Sequence, residues 1–163
     1  MRSARRWQRS LILSLILGWH LGPLPSRAVE TTERPPSVLL LFSLRAGAPA
    51  VVAVESAFRA TVSKKFGAPI DLHVETLDLS DNSAVAYRGR LTDLLQEKYA
   101  RTPFDVVVTA GSDALAYLLQ NRELLAPGAP LIFTSVSREA FGNEPMPPNA
   151  TGSFTSLDTQ RTV

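Results

Sequence analysis

Small polar residues follow three apolar runs of this chain, and they are its best candidates for chemistry. Seven residues share this position, namely Ser43, Arg45, Gly111, Ser112, Asp113, Thr134 and Ser135. Hydroxyl and guanidinium groups bind polar and anionic groups through hydrogen bonds, and glycine lets a ligand approach the backbone closely. The set therefore predicts a site that binds a small polar molecule.

The motifs of the common enzyme classes are incomplete in this chain. Around Ser112 the sequence AGSDA has alanine at both outer positions of the G-x-S-x-G nucleophile elbow, and no histidine follows it. Neither a G-x-x-x-x-G-K-[ST] phosphate loop nor a G-x-G-x-x-G dinucleotide turn is present. With no cysteine and two histidines, the chain lacks ligands for a transition metal. We expect no catalysis, no cofactor and no metal, and a small α/β hydrolase ranks third among the functions considered.

The apolar periodicity predicts strands that alternate with helices. The apolar runs at 38–42 and 131–133, and the segment 104–109 with three valines at its centre, are typical of strands covered on both faces. Residues 70–76 alternate between apolar and polar, which predicts a strand with one exposed face that carries His73. Helices are expected at 49–66, up to Tyr99 and from Ser112, with Leu94 on the buried face of the second. A short strand is expected at 150–154, and a further helix near Asp158.

This alternation predicts an α/β fold, an open parallel sheet with helices on both faces. If the half-exposed strand is an edge, right-handed crossovers give the strand order 2-1-3-4-5. The order then reverses between the first and third strands, and a crevice opens beyond their carboxyl ends. We expect Ser112 or Asp113 to cap the helix that begins there, and its free N–H groups to favour an anion.

The first residues are typical of a secretory signal. Arginines at 2, 5, 6 and 9 precede the apolar run 11–17, and Ser26-Arg27-Ala28 offers small residues for cleavage. We expect residues 1–28 to be a signal peptide, 29–37 an exposed leader and 38–163 the α/β lobe. The apolar run is shorter than the roughly 20 residues of a membrane span, and a retained membrane anchor is the alternative. The prediction is export to the periplasm or another extracytoplasmic space.

Removal of this signal changes the charge of the protein. The whole chain carries 17 basic and 15 acidic residues, a net charge of +2. Five of the basic residues and none of the acidic ones lie in residues 1–28, so the remaining chain would be acidic. Nucleic-acid binding requires a basic surface, and we exclude a nucleic-acid partner.

The same segments resemble a known family. Residues 38–43 (VLLLFS) with Gly47, 105–108 (DVVV) with 112–115 (SDAL), 130–133 (PLIF) and 148–152 (PNATG) are similar to the strand ends of ABC-transporter substrate-binding proteins of the periplasmic-binding-protein type I fold. The resemblance implies a lobe that binds a small solute, such as an amino acid or other small anion, for an importer. It also implies that Ser43, Ser112 and Thr134 lie in the ligand rim.

The resemblance leaves the role and the extent of the chain open. The partner would be an ABC permease or, alternatively, a signalling protein, because the same fold serves as the extracytoplasmic sensor of membrane-anchored histidine kinases. The family often has an aromatic residue and a histidine after the first serine, where this chain has Leu44 and Arg45. The family also builds a second lobe after the fifth strand, so we expect the chain to be a fragment, incomplete at its C-terminus.

Overall fold

Parallel strands alternate with helices in the computed structural model, which describes residues 34–67, 69–142 and 145–156. The elements in chain order are β1 (Ser37–Phe42), α1 (Pro49–Phe66), β2 (Asp71–Thr76), α2 (Val85–Tyr99), β3 (Val106–Ala110), α3 (Ser112–Leu125), β4 (Leu131–Ser137), α4 (Arg138–Phe141) and β5 (Ala150–Thr155). The predicted signal, most of the predicted leader and the predicted helix near Asp158 lie outside the described residues. Within them, no helix combines the length and hydropathy of a membrane span.

The five strands form one parallel sheet in the order β2-β1-β3-β4-β5. This confirms the predicted α/β class and strand order. β1 lies between β2 and β3, with Val38 opposite Leu72 on one side and Val106 on the other. Because consecutive strands β1 and β2 are neighbours while β3 lies on the other side of β1, the direction of progress through the sheet reverses at β1.

Helices cover both faces of the sheet, as predicted. α1 packs on one face through Val51, Val54 and Phe58, against side chains that include Leu40 and Val108. On the opposite face α2 and α3 enclose the larger core, whose fully buried members are Leu39, Leu41, Leu77, Leu95, Leu115, Tyr117, Leu118 and Leu131, among others. Side chains alternate between the two faces along β1, so that Leu39 and Leu41 face α2 and α3, whereas Leu40 faces α1.

The face that carries α1 is covered over only part of its width. A helix is about 10 Å wide, roughly two strand spacings, and α1 is the one helix on this face within the described residues. On β4, Ile132 is 40% exposed, and Thr151 and Ser153 of β5 are exposed beside it. The α1 side of β4 and β5 is therefore open in the described part of the chain.

The structure corrects three details of the sequence-based prediction. His73 is not on an exposed face, because the rings of Tyr99 and Phe104 contact its ring edge-on at centroid distances of 5.3 and 5.5 Å. Leu94 is 60% exposed, and the buried positions of α2 are Thr92, Leu95 and Tyr99. β4 also extends to Ser137 and continues directly into α4, whereas its apolar run ends at Phe133.

Candidate functional site

A cavity of about 310 Å³ lies at the carboxyl ends of β1 and β3, where the strand order reverses. Its wall includes five of the seven residues that the sequence nominates, which are Ser43, Gly111, Ser112, Asp113 and Ser135. Arg45 and Thr134 are not part of this wall. The topology places these loops together because parallel strands end at the same edge of the sheet.

Ser43 follows β1 and is engaged in the framework of the site. It is 5% exposed, and its Oγ accepts a hydrogen bond from the N–H of Ala114 at 2.9 Å and lies 3.4 Å from the carbonyl oxygen of Ala110. Its own N–H donates to the same Ala110 carbonyl at 3.1 Å, and its carbonyl accepts from Leu79 at 2.9 Å. Ser43 therefore joins the ends of β1 and β3 to the start of α3.

Gly111 occupies the junction between β3 and α3 with φ +105°, a conformation that residues with a Cβ rarely adopt. A Cβ built there would lie 2.3 Å from Oγ of Ser43 and 3.0 Å from its Cβ. The N–H of Gly111 donates to the carbonyl of Thr134 at 3.0 Å. The glycine thus permits both the turn and the close contact with Ser43.

α3 begins at Ser112 with Gly111 as its N-cap residue, so the prediction that Ser112 or Asp113 caps this helix is wrong. Oγ of Ser112 instead accepts from the N–H of Ser137 at 3.0 Å. The N–H of Ala114 donates to Ser43. The N–H groups of Ser112 and Asp113, in the same first turn, have no hydrogen-bond acceptor within the described residues. They are the donors that a ligand in the cavity can reach.

β4 contributes Ser135 through an irregularity in its pairing with β5. The register shifts between Phe133 and Val136, and Ser135 has φ +56°. This turn of the backbone makes Ser135 an exposed residue of the cavity wall. Thr134, one residue earlier, is half-buried and contributes its carbonyl to Gly111 rather than a side chain to the wall.

Arg45 lies on the surface beside the site. Its Nη1 is 3.5 Å from Oδ2 of Asp81, and both side chains are more than half exposed. An exposed pair of this kind contributes little to stability. The structure therefore gives Arg45 a partner on the loop before α2 and no place in the cavity wall.

The sequence gives no indication of the apolar part of the wall. Four of its residues are Phe42, Leu44, Val51 and Val54, and Ser80 adds a hydroxyl from the β2–α2 connection. The helical spacing of Val51 and Val54 is visible in the sequence, but it predicts core packing equally well. Only the position of α1 above the end of β1 shows that both also border the cavity.

Charge in the wall is confined to one end. Among the described residues of the wall, Asp113 alone has a charged side chain. It lies in the first turn of α3, where a carboxylate complements the helix dipole. A ligand would thus meet hydroxyl groups and a carboxylate beside two backbone N–H donors. Among the described residues, no group of three or more His, Cys, Asp or Glu side chains could hold a metal ion.

Comparisons of the whole chain with family models, curated proteins and solved structures give no match. The geometry of this cavity is therefore the basis for assigning a function.

Proposed function

We propose that this chain binds a small polar solute in the cavity between the ends of β1 and β3. The observation that carries the proposal is the position of the cavity at the reversal of strand order, which is the usual ligand site of open α/β sheets. Its volume of about 310 Å³ is at the lower end of the range for small-molecule sites. A solute of the size of an amino acid suits this volume.

The chemistry of the wall supports a solute with charges of both signs. The N–H groups of Ser112 and Asp113 would receive a carboxylate at the start of α3. The carboxylate of Asp113, in the same wall, would receive an ammonium group. The apolar side chains of Val51 and Val54 would contact the carbon skeleton.

For the physiological role, we propose the recognition component of an ABC importer that acts outside the cytoplasm with a membrane permease as partner. The parallel order β2-β1-β3-β4-β5 with its crevice supports this role, because it agrees with the lobe that the sequence resembles. In this role the residues of the wall bind and release the solute, and none of them performs chemistry on it.

The binding proposal can be tested by amide NMR titration of the whole chain with alanine, glutamine and glutamate at millimolar concentrations. We expect shifts at Gly111, Ser112 and Asp113, and smaller shifts with N-acetylglutamine, which lacks the ammonium group. Asp113→Asn should weaken amino-acid binding on the order of 10-fold, since it removes a charge-assisted hydrogen bond.

The matched control is Asp81→Asn, which removes an exposed carboxylate outside the wall. It should leave the affinity for amino acids within about 2-fold of the parent, the change that loss of a surface charge produces. The proposal would be overturned if no amino acid shifted the amides of residues 111–113, or if both variants bound as the parent does.

A further inference from the structure

A second cavity, of about 500 Å³, lies at the opposite edge of the sheet. It is bordered by the approach to β1, the connection from α1 to β2 and the connection from α2 to β3. Its polar wall consists of Arg34, Ser37, Asp71, Arg101 and Thr102, and three prolines and Ile70 line the remainder. Since the crevice is at the carboxyl ends of the strands, the two cavities are separated by the length of the sheet.

Arg34 is fixed and neutralised in this wall. Its Nη1 and Nη2 each donate to a different carboxylate oxygen of Asp105 at 2.8 Å, which is a bidentate pair. The N–H of Ser37 donates to the same carboxylate at 2.7 Å. The pair holds the guanidinium of Arg34 at the cavity without leaving it a full unmatched charge.

Arg101 supplies the unmatched positive charge of the wall. It is exposed, and among the described residues it has neither an ion-pair partner nor a hydrogen-bond acceptor. Asp71 belongs to the same wall, but its carboxylate forms no ion pair with Arg101 among the described residues, and its Oδ2 lies 3.0 Å from Nε2 of His73. Arg101 can therefore present its planar fork of donors to a ligand.

Ser37 gives an independent indication of a ligand. It is 3% exposed, and its hydroxyl has no hydrogen-bond partner within the described residues. A buried hydroxyl without a partner destabilises the fold, and native structures usually satisfy such groups with a bound water or ligand. Ser37 is a residue of the same cavity wall as Arg101 and Thr102.

We propose that this cavity binds a small molecule through an oxyanion group, a carboxylate or a phosphate, held by Arg101. Thr102, the next residue, supplies a hydroxyl donor, and Ser37 is a further polar residue of the wall. Asp71 on the β2 side repels additional negative charge, so the ligand has one anionic group and turns its neutral part toward β2. The site is distinct from the crevice and does not depend on the function proposed for it.

The test is amide NMR titration of the whole chain at constant ionic strength with two probes, inorganic phosphate and acetate. We expect at least one probe to shift the amides of Asp71, Arg101 and Thr102, and shifts at residues 111–113 report binding in the crevice separately. A response to phosphate alone assigns a phosphate ligand, and a response to acetate alone assigns a carboxylate. Arg101→Gln should weaken the responding probe about 10-fold or more, the effect of one charged hydrogen-bonding group.

The control variant is Arg90→Gln, which removes an exposed arginine of α2 that is outside the wall. It should bind the responding probe with an affinity within about 2-fold of the parent. The proposal is wrong if neither probe shifts residues 71, 101 and 102, or if Arg101→Gln and Arg90→Gln weaken binding equally. Shifts confined to residues 111–113 would contradict this site while supporting the crevice.

Discussion

Ser43 and Gly111 are in contact at the floor of the crevice, and there is no room between them for a side chain at Gly111. A Cβ at Gly111 would lie 2.3 Å from Oγ of Ser43. The same Oγ accepts the N–H of Ala114 at 2.9 Å, so a residue at the end of β1 caps a helix that follows β3. The position of α3 relative to β1, and with it the shape of the cavity, depends on this contact.

Gly111→Ala should destabilise the fold by at least about 2 kcal/mol. The variant would combine a backbone at φ +105° with a Cβ that overlaps Ser43. Unfolding in urea, followed by circular dichroism, measures the change through the midpoint of the transition.

Two further glycines separate the effect of backbone strain from that of the overlap with Ser43. Gly128→Ala meets no atom within 4 Å at φ +71°, so it should lose only about 1 kcal/mol from backbone strain. Gly89→Ala lies in α2 with open space around it and should gain up to about 1 kcal/mol. An effect of Gly111→Ala no larger than that of Gly128→Ala would contradict the contact with Ser43.

Ser43→Ala should cost about 1–2 kcal/mol, because it leaves the buried N–H of Ala114 without its acceptor. Ser112→Ala is the comparison, since its Oγ accepts the N–H of Ser137 at a half-buried position where water can replace it. We expect it to cost about 0.5 kcal/mol, the lower end for a single hydrogen bond. Equal losses in urea unfolding would argue against a capping role for Ser43.

The sheet order could be predicted from the sequence because its determinants are local. Each strand shows its burial through its own apolar pattern, and handed crossovers leave few ways to connect parallel strands. The position of the crevice then follows from the order alone. For this reason the sequence predicts that Ser43, Gly111, Ser112, Asp113 and Ser135 lie at one edge of the sheet, and these five residues share one cavity wall.

The parts of the prediction that were wrong or missing depend on contacts between residues that are distant in the sequence. Ser43 and Ala114 are 71 positions apart, and no spacing in the sequence indicates that the hydroxyl of one reaches the N–H of the other. The direction of Arg45 toward Asp81 likewise depends on the path of the β2–α2 connection. His73 alternates like a residue on an exposed face, but Tyr99 at the end of α2 covers it.

Asp105 should make the fold sensitive to acid. The N–H of Ser37 and then the guanidinium of Arg34 hold the pKa of this carboxyl below its ordinary value. The unfolded chain takes up a proton near the ordinary pKa of about 4, whereas the folded chain does so only at lower pH. The stabilisation is therefore complete above this range and is lost as the pH falls through the folded pKa.

Urea midpoints between pH 6 and pH 2.5 measure this loss. Asp105→Asn should be less stable than the parent at pH 6 and should lose less stability on acidification. Arg34→Gln should show an intermediate dependence, because the hydrogen bond from Ser37 remains. Parallel curves for the parent and Asp105→Asn would show that this carboxyl does not contribute to the acid sensitivity.

Thr109→Val should stabilise the protein, against the usual direction of core substitutions. Thr109 is completely buried on β3, and its Oγ1 has no hydrogen-bond partner within the described residues. Valine keeps the branched shape that strands favour and removes the unpaired hydroxyl, so we expect a gain of about 1 kcal/mol.

Thr92→Val is the matched control, because its hydroxyl contacts the carbonyl of Arg88 at 3.0 Å and the hydroxyl of Tyr117 at 2.9 Å. This control should lose about 1–3 kcal/mol. A lower urea midpoint for Thr109→Val would mean that its hydroxyl has a partner, such as a bound water, that valine cannot replace.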